Sequence, residues 1–398
     1  MVSRYDERGS AKAAWNALTA TLLILRATMT GAPASAAPQK WRWLRIIPLA
    51  AAVGSLVTGL WVGLARLGVV VPSGAHTLAE FHGALMISGF LGTLISLERS
   101  VAIGRWWAYT APALSATGAA ALIVERPALA SYSFLFAGVV LTFTSSVVVA
   151  RQPALFTFIL AIAAACWAGG TLLWIDGGNA ADVTGWWIAF LILTIAAERL
   201  ELSRVLSPPR SSQLIFAFAA ALIIAGMVHG ELSAQAAPFS GGGLLLATVW
   251  LVRHDVALRT IRLSAQPRFS AACLLAGYFW LGIAGLLIIV VPPNSTAFSY
   301  DAAVHAVTIG FVLSMIFGHA PIILPAVIGL RVQYSTAAYV PLVLLHLSVL
   351  LRITADLFDW IEVRTVSGPA TIIALACYAA VLVIAPRRPN SKSDHRPA

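Results

Sequence analysis

Residues 301–329 read DAAVHAVTIGFVLSMIFGHAPIILPAVIG. This run is longer than the roughly 20 apolar residues a helix needs to cross a bilayer, yet it holds His305, Met315, His319, Pro321 and Pro325. An ionisable group inside such a span is costly unless paired or coordinated, so its presence points to function. On a straight α-helix His305 and His319 stand about 40° apart around the axis and about 21 Å apart along it. They share a face at different depths.

Composition places the rest of the chain in the same environment. Of 398 residues 59% are hydrophobic and 11% charged, against roughly 25% charged in soluble domains. The fold class is all-α and integral to a membrane, with the lipid bilayer as the main partner. A net charge of +10 raises the question of nucleic acid. The basic residues are dispersed through short loops, without a patch of interleaved aromatics, so no nucleic-acid partner is expected. Cys166, Cys273 and Cys377 lie in separate apolar runs and read as small core residues.

Outward from 301–329, twelve apolar runs have roughly spanning length: 46–71, 78–97, 106–124, 128–150, 153–174, 186–206, 213–230, 239–257, 269–291, 301–329, 337–354 and 366–385. Alternate connections carry the cations: Arg99 and Arg105; Arg151; Arg204 and Arg210; Arg259, Arg262 and Arg268; Arg331; and Arg387, Arg388 and Lys392. The intervening ones carry only Arg126 and Arg364. Positive loops stay inside, so a bundle of twelve transmembrane helices with both termini cytoplasmic is expected. Residues 1–40 form a cytoplasmic N-terminal tail, 41–386 the membrane domain and 387–398 a cytoplasmic C-terminal tail. A weakly apolar segment at 13–25 stops too far from the small residues near 34–37 to read as a cleaved signal peptide. The pairs Trp106–Trp107 and Trp186–Trp187 suit interfacial anchors.

Laying the second run over the tenth places Glu80, Gly89, Phe90 and Glu98 on Asp301, Gly310, Phe311 and His319 without a gap. The sixth run repeats the spacing with Phe190 and Glu198. Three runs four apart share a pattern, as three pseudo-repeats of four helices would produce.

His82 lies about five residues into the second run and His305 about five into the tenth, both from the same side of the membrane. Two level imidazoles on different helices suit axial ligation of a haem iron, and they also suit two hydrogen-bonded core histidines. A deeper set comprises His319, His346, Glu98, Glu198 and Met315. Imidazole with carboxylate suits iron or zinc, and imidazole with thioether suits copper. The alternative is that the glutamates, each followed by an arginine, reach the headgroups. Arg352 is poised for a haem propionate or for Asp356 one turn later.

HAVTIGFVLSMI, residues 305–316, resembles the HAxTxGxxxxMI segment of the NnrS family of haem- and copper-containing bacterial membrane proteins. FHGALMISGFLGT, residues 81–93, resembles a degenerate copy of that family's early histidine motif, with Gly83, Ala84 and Leu85 where the family has further ligands. Twelve spans in three groups, with histidines on the second and tenth, are also similar to the catalytic subunit of haem-copper oxidases and nitric oxide reductases. The adjacent histidines of that subunit's seventh span are absent here. The resemblance implies haem b with copper as a second metal, nitric oxide as a gas ligand, and a respiratory partner protein. It also implies a multi-pass place in a bacterial cytoplasmic (inner) membrane, and a haem-dependent oxidoreductase if chemistry occurs. Two other classes fit the sequence: a cofactor-free transporter of ions or small molecules, and an assembly subunit of a respiratory complex.

Overall fold

Long helices account for nearly all of the computed structural model, which describes residues 43–384 apart from Ser73, Glu231, Leu232, Leu330 and Arg331. The expected tails at 1–40 and 387–398, and the loop cation Arg331, lie outside the described residues. We number the helices α1 (Trp43–Arg66), α2 (a 3-10 turn Ala79–Phe81, a π segment Ala84–Gly92 and Thr93–Ile103), α3 (Thr110–Ile123), α4 (Pro127–Arg151), α5 (Leu155–Ile175) and α6 (Thr184–Ser203). They continue as α7 (Arg210–Val228), α8 (Ala237–His254), α9 (Ala265–Val290), α10 (Ser299–His305, a π segment Ala306–Leu313 and Ser314–Ile328), α11 (Tyr339–Leu357) and α12 (Ile361–Ile384).

Among the described residues there is no strand, and nine helices are long and apolar enough to cross a membrane. Helices α3, α6 and α8 occupy the other three expected runs without meeting that measure. Helix α3 has only 14 residues, and α6 carries Glu198, Arg199 and Glu201. The protein is an all-helical membrane protein.

Packing puts three helices at the centre. Helix α6 touches the π segments of both α2 and α10, and the second halves of α2 and α10 touch each other. The remaining helices pack mostly as sequence neighbours around them, and α12 returns against α1. Thr365 ties that closure by donating from Oγ1 to the Leu67 carbonyl at 3.0 Å. The central position explains the sequence of α6, whose apolar residues face inward on nearly every side. Trp187 is part of that interior: it is fully buried, donates to Thr171 Oγ1 at 3.2 Å and packs edge-on against Trp174. It is therefore no interfacial anchor, whereas Trp106 is exposed as one would be.

The offset that lays Glu80 on Asp301 also lays the π segment of α2 on 305–313, and the π segment observed in α10 is Ala306–Leu313. The irregularity recurs in register, while α6 stays regular. A π turn disturbs the α-helical hydrogen-bond ladder, and in an apolar interior every carbonyl it releases needs another donor. Side chains supply them on α2. Ser55 donates to the Leu85 carbonyl at 2.8 Å, Ser115 to Ser88 at 2.8 Å, and Thr93 to Gly89 at 2.7 Å.

Prolines make the same demand in α10. Pro321 has no N–H for the carbonyl of Phe317, and the Tyr378 hydroxyl of α12 donates to that oxygen instead, with its ring stacked on Phe317 at 3.9 Å. Ser270 of α9 donates to the neighbouring Gly318 carbonyl at 2.8 Å. The helix ends at Gly329, whose φ of +74° is readily open to glycine. Tyr378→Phe removes the hydroxyl that reaches the Phe317 carbonyl and is expected to cost about 1–2 kcal/mol. It should lower the midpoint of thermal denaturation in detergent, whereas Tyr132→Phe on the exposed face of α4 should leave that midpoint unchanged.

Candidate functional site

The helix ends that meet near residues 66, 80, 301 and 364 frame a cleft. It amounts to about 1300 Å³ counting its open mouth and lies between α1, α2, α10 and α12. Its walls are largely apolar, with Leu60 and Leu64 of α1, Phe90 of α2, Ile309 and Leu313 of α10 and Ile372 of α12. Both His82 and His305 line it.

Each imidazole is fixed by a backbone carbonyl. His82 Nδ1 lies 2.9 Å from the Gly59 oxygen, and His305 Nδ1 lies 2.7 Å from the Asp301 oxygen. A carbonyl only accepts, so Nδ1 carries the proton in both rings. Nε2 is then the unprotonated nitrogen, and no described protein group hydrogen-bonds to it.

The seat of His82 depends on a stripe of small residues on α1. Ser55, Gly59 and Gly63 are spaced by four and face α2, the small-xxx-small pattern that lets helices approach closely. A Cβ at Gly63 would lie 2.8 Å from His82 Cε1, and one at Gly59 would lie 2.7 Å from Met86 Sδ. The imidazole thus lies against bare backbone.

His305 is placed by charge. Arg352 donates from Nε to Asp356 at 2.9 Å and from Nη2 to Asp301 at 3.2 Å. Arg364 donates from Nε to Asp356 at 2.8 Å and from Nη2 to Asp301. Two arginines and two aspartates alternate in a closed ring joining α10, α11 and α12. Arg364 also lies over the Phe298 ring, 4.1 Å from its centroid. The ring pins the first turn of α10, whose Asp301 carbonyl holds His305. It also accounts for Arg364, a cation on the side of the membrane where the loops have few.

Of the two roles open to Arg352, pairing with Asp356 is the one observed, and Asp301 and Arg364 extend it. A different cation is left for an acidic ligand. Arg66 lines the cleft and donates from Nη1 to the Ala79 carbonyl at 3.1 Å.

The other expected residues disperse. At the opposite end of the bundle His319 Nε2 stands 4.0 Å from Glu98 Oε1. Glu198 is bound instead to Arg99. His346 takes a hydrogen bond from Trp280 Nε1 at 2.9 Å, and its Nε2 lies 3.3 Å from Ser314 Oγ. Met315 packs its methyl against Gly277 of α9. Among the described residues no three His, Cys, Asp or Glu side chains cluster as a metal would need. The remaining described histidines outside the cleft are engaged or exposed. His254 is held between Trp250 and Ser212, His229 stacks on Phe239, and His76 is exposed.

Residues 45–387 match a family model described as a domain of unknown function, DUF8744. The chain belongs to the DUF8744 family. No curated protein and no solved structure matches it. The matched region takes in the histidine cleft, the charge ring and the Glu98–His319 pair, so all three lie within the DUF8744 domain.

The charge ring predicts a marked stability effect. Asp356 is fully buried, and removing it leaves a buried and a half-buried guanidinium group with one carboxylate between them. Breaking a buried pair in this way costs about 3–5 kcal/mol. Asp356→Ala should therefore lower the denaturation midpoint far more than Asp182→Ala in an exposed loop.

Proposed function

We propose that this DUF8744 protein binds haem b between α2 and α10, with Nε2 of His82 and Nε2 of His305 as the atoms that would hold its iron. The observation that carries the reading is the matched state of the two imidazoles. They come from different helices, face one cleft, and each has Nδ1–H committed to a carbonyl and Nε2 free. A histidine that ligates metal almost always donates its other N–H to such a partner, which fixes the tautomer and strengthens the ligand. The donor set and the apolar walls fit a porphyrin.

Each part of the cleft has a task in this reading. The His82 and His305 imidazoles ligate. Gly59 and Gly63 leave the space in which the first ring sits, and the Asp301–Arg352–Asp356–Arg364 ring holds the second in place. Arg66, bonded to a backbone carbonyl, meets the propionates at the cleft mouth. When bound, the haem would supply an iron that exchanges one electron, and a diatomic gas would bind it only where one imidazole gave up its position.

The protein in this reading crosses a bacterial inner membrane twelve times with both termini cytoplasmic, and the loop cations support that orientation. The resemblance of 305–316 to the NnrS family supports a role around nitric oxide or respiratory electron transfer. The central α2, α6 and α10 accord with the likeness to the haem-copper oxidase subunit. Copper stays outside the proposal, because Glu98 and His319 are two groups where a protein-held metal takes about three or four.

The test is an optical spectrum of purified protein, oxidised and dithionite-reduced, with haem content measured on the same sample. A Soret band that shifts and sharpens on reduction is expected, and it should be lost in His82→Ala and His305→Ala. Gly63→Val, which removes no ligand, should also lose most of the haem by displacing the His82 ring. Colourless protein from a haem-replete host would overturn the reading and turn attention to small-molecule transport.

A further inference from the structure

On the far side of α10 from α12 lies a second, smaller cavity. Counting its open side it amounts to about 350 Å³, of which about 20 Å³ admits the centre of a water-sized sphere, and it is bordered by α6, α7, α8, α9 and α10. Ile188, Ile223, Leu244, Ile288 and Val307 form its walls, and all five are buried. The one hydroxyl among the lining side chains, Ser240 Oγ, is already committed, donating to the Ala236 carbonyl at 3.0 Å. Water needs about two to four polar partners to stay in such a space, and a cavity without them stays dry.

The cavity's position relates it to the cleft. Val304 of α10 lines both spaces and is only half-buried. Its neighbour His305 lines the cleft, and Ala303 and Val307 of the adjoining turns line the cavity. Val304 therefore lies on the partition between the apolar cavity and the cleft that His305 lines. Valine has a single χ angle, and rotation about it is the least movement that would connect the two.

We propose that this cavity is a binding site for a small, uncharged, weakly polar molecule of one or two heavy atoms, a dissolved gas, which reaches the histidine cleft past Val304. Charge is excluded by the apolar walls, and anything needing several hydrogen bonds is excluded by the occupied Ser240 hydroxyl. Apolar gases favour hydrocarbon over water, so a chamber among membrane helices is filled from the bilayer. The proposal goes beyond haem binding and does not require it.

Xenon is the probe, since it is polarisable and occupies dry cavities lined by aliphatic side chains. Crystals of the full chain under xenon pressure should show an anomalous peak between Ile188, Leu244 and Val307. Ala189→Leu, which fills the chamber from α6, should abolish that peak. Ile288→Ala, which enlarges the chamber and keeps the test open if the filled variant fails to fold, should raise its occupancy. The peak should also persist in haem-free His82→Ala protein, so the fate of the haem reading is read separately from its spectrum. No xenon in the wild-type chamber, xenon only in the cleft, or a peak unchanged by Ala189→Leu would overturn the proposal.

Discussion

A backbone carbonyl inside a bilayer has no water to accept from, and this constraint organises the molecule. At several interruptions of the helical ladder, a side chain from a neighbouring helix or the next turn has been brought to the gap. Ser55 and Ser115 serve the π segment of α2, and Tyr378 and Ser270 serve the proline-broken half of α10. These bonds cross between helices, so they also fix which helices are neighbours. The same rule governs the imidazoles, whose Nδ1–H groups find carbonyls at Gly59 and Asp301.

The two histidines reach a common cleft by different means. On α2 the means is absence of bulk: three small residues on α1 let the imidazole lie against backbone. On α10 it is charge, because a ring of two arginines and two aspartates ties the helix start to α11 and α12. Such a ring is balanced within itself, so it stiffens one wall of the cleft without making that wall attractive to anions. In the proposed reading Arg66 takes the contrary role. The bundle thus separates structural charge from binding charge at one end, while at the other end Arg99 and Glu198 neutralise each other.

Much of this was legible in the sequence, for physical reasons. The apolar runs predicted where the helices fall because spanning length is imposed by bilayer thickness. The recurrence of Phe and acid spacing, read as a sign of repeats, falls on α2, α6 and α10, the helices that meet at the centre. His82 and His305 were drawn to one cleft as depth suggested. The deeper set of His319, His346, Glu98, Glu198 and Met315 looked convergent because the reckoning assumed straight helices and ignored competitors. Arg99 claims Glu198, and Trp280 with Ser314 claims His346. Gly59 and Gly63 were missed although their spacing from Ser55 was there to be read. The Asp301–Arg364 contact spans too much sequence for any local pattern to reveal it.

The in-register π segments have a geometric consequence. A π turn accommodates a residue that a regular α-helix of the same rise would not need, and each residue carries about 100° of rotation. His82 and His305 precede these turns, so the direction each imidazole faces, relative to the half of its helix beyond, is set by how many residues the chain contains there. Side-chain replacement leaves that angular phase intact. Loss of a single residue between the histidine and the second half of either helix would turn the ring out of the cleft, so it is the length of these segments, more than their composition, that keeps both imidazoles on the cleft wall.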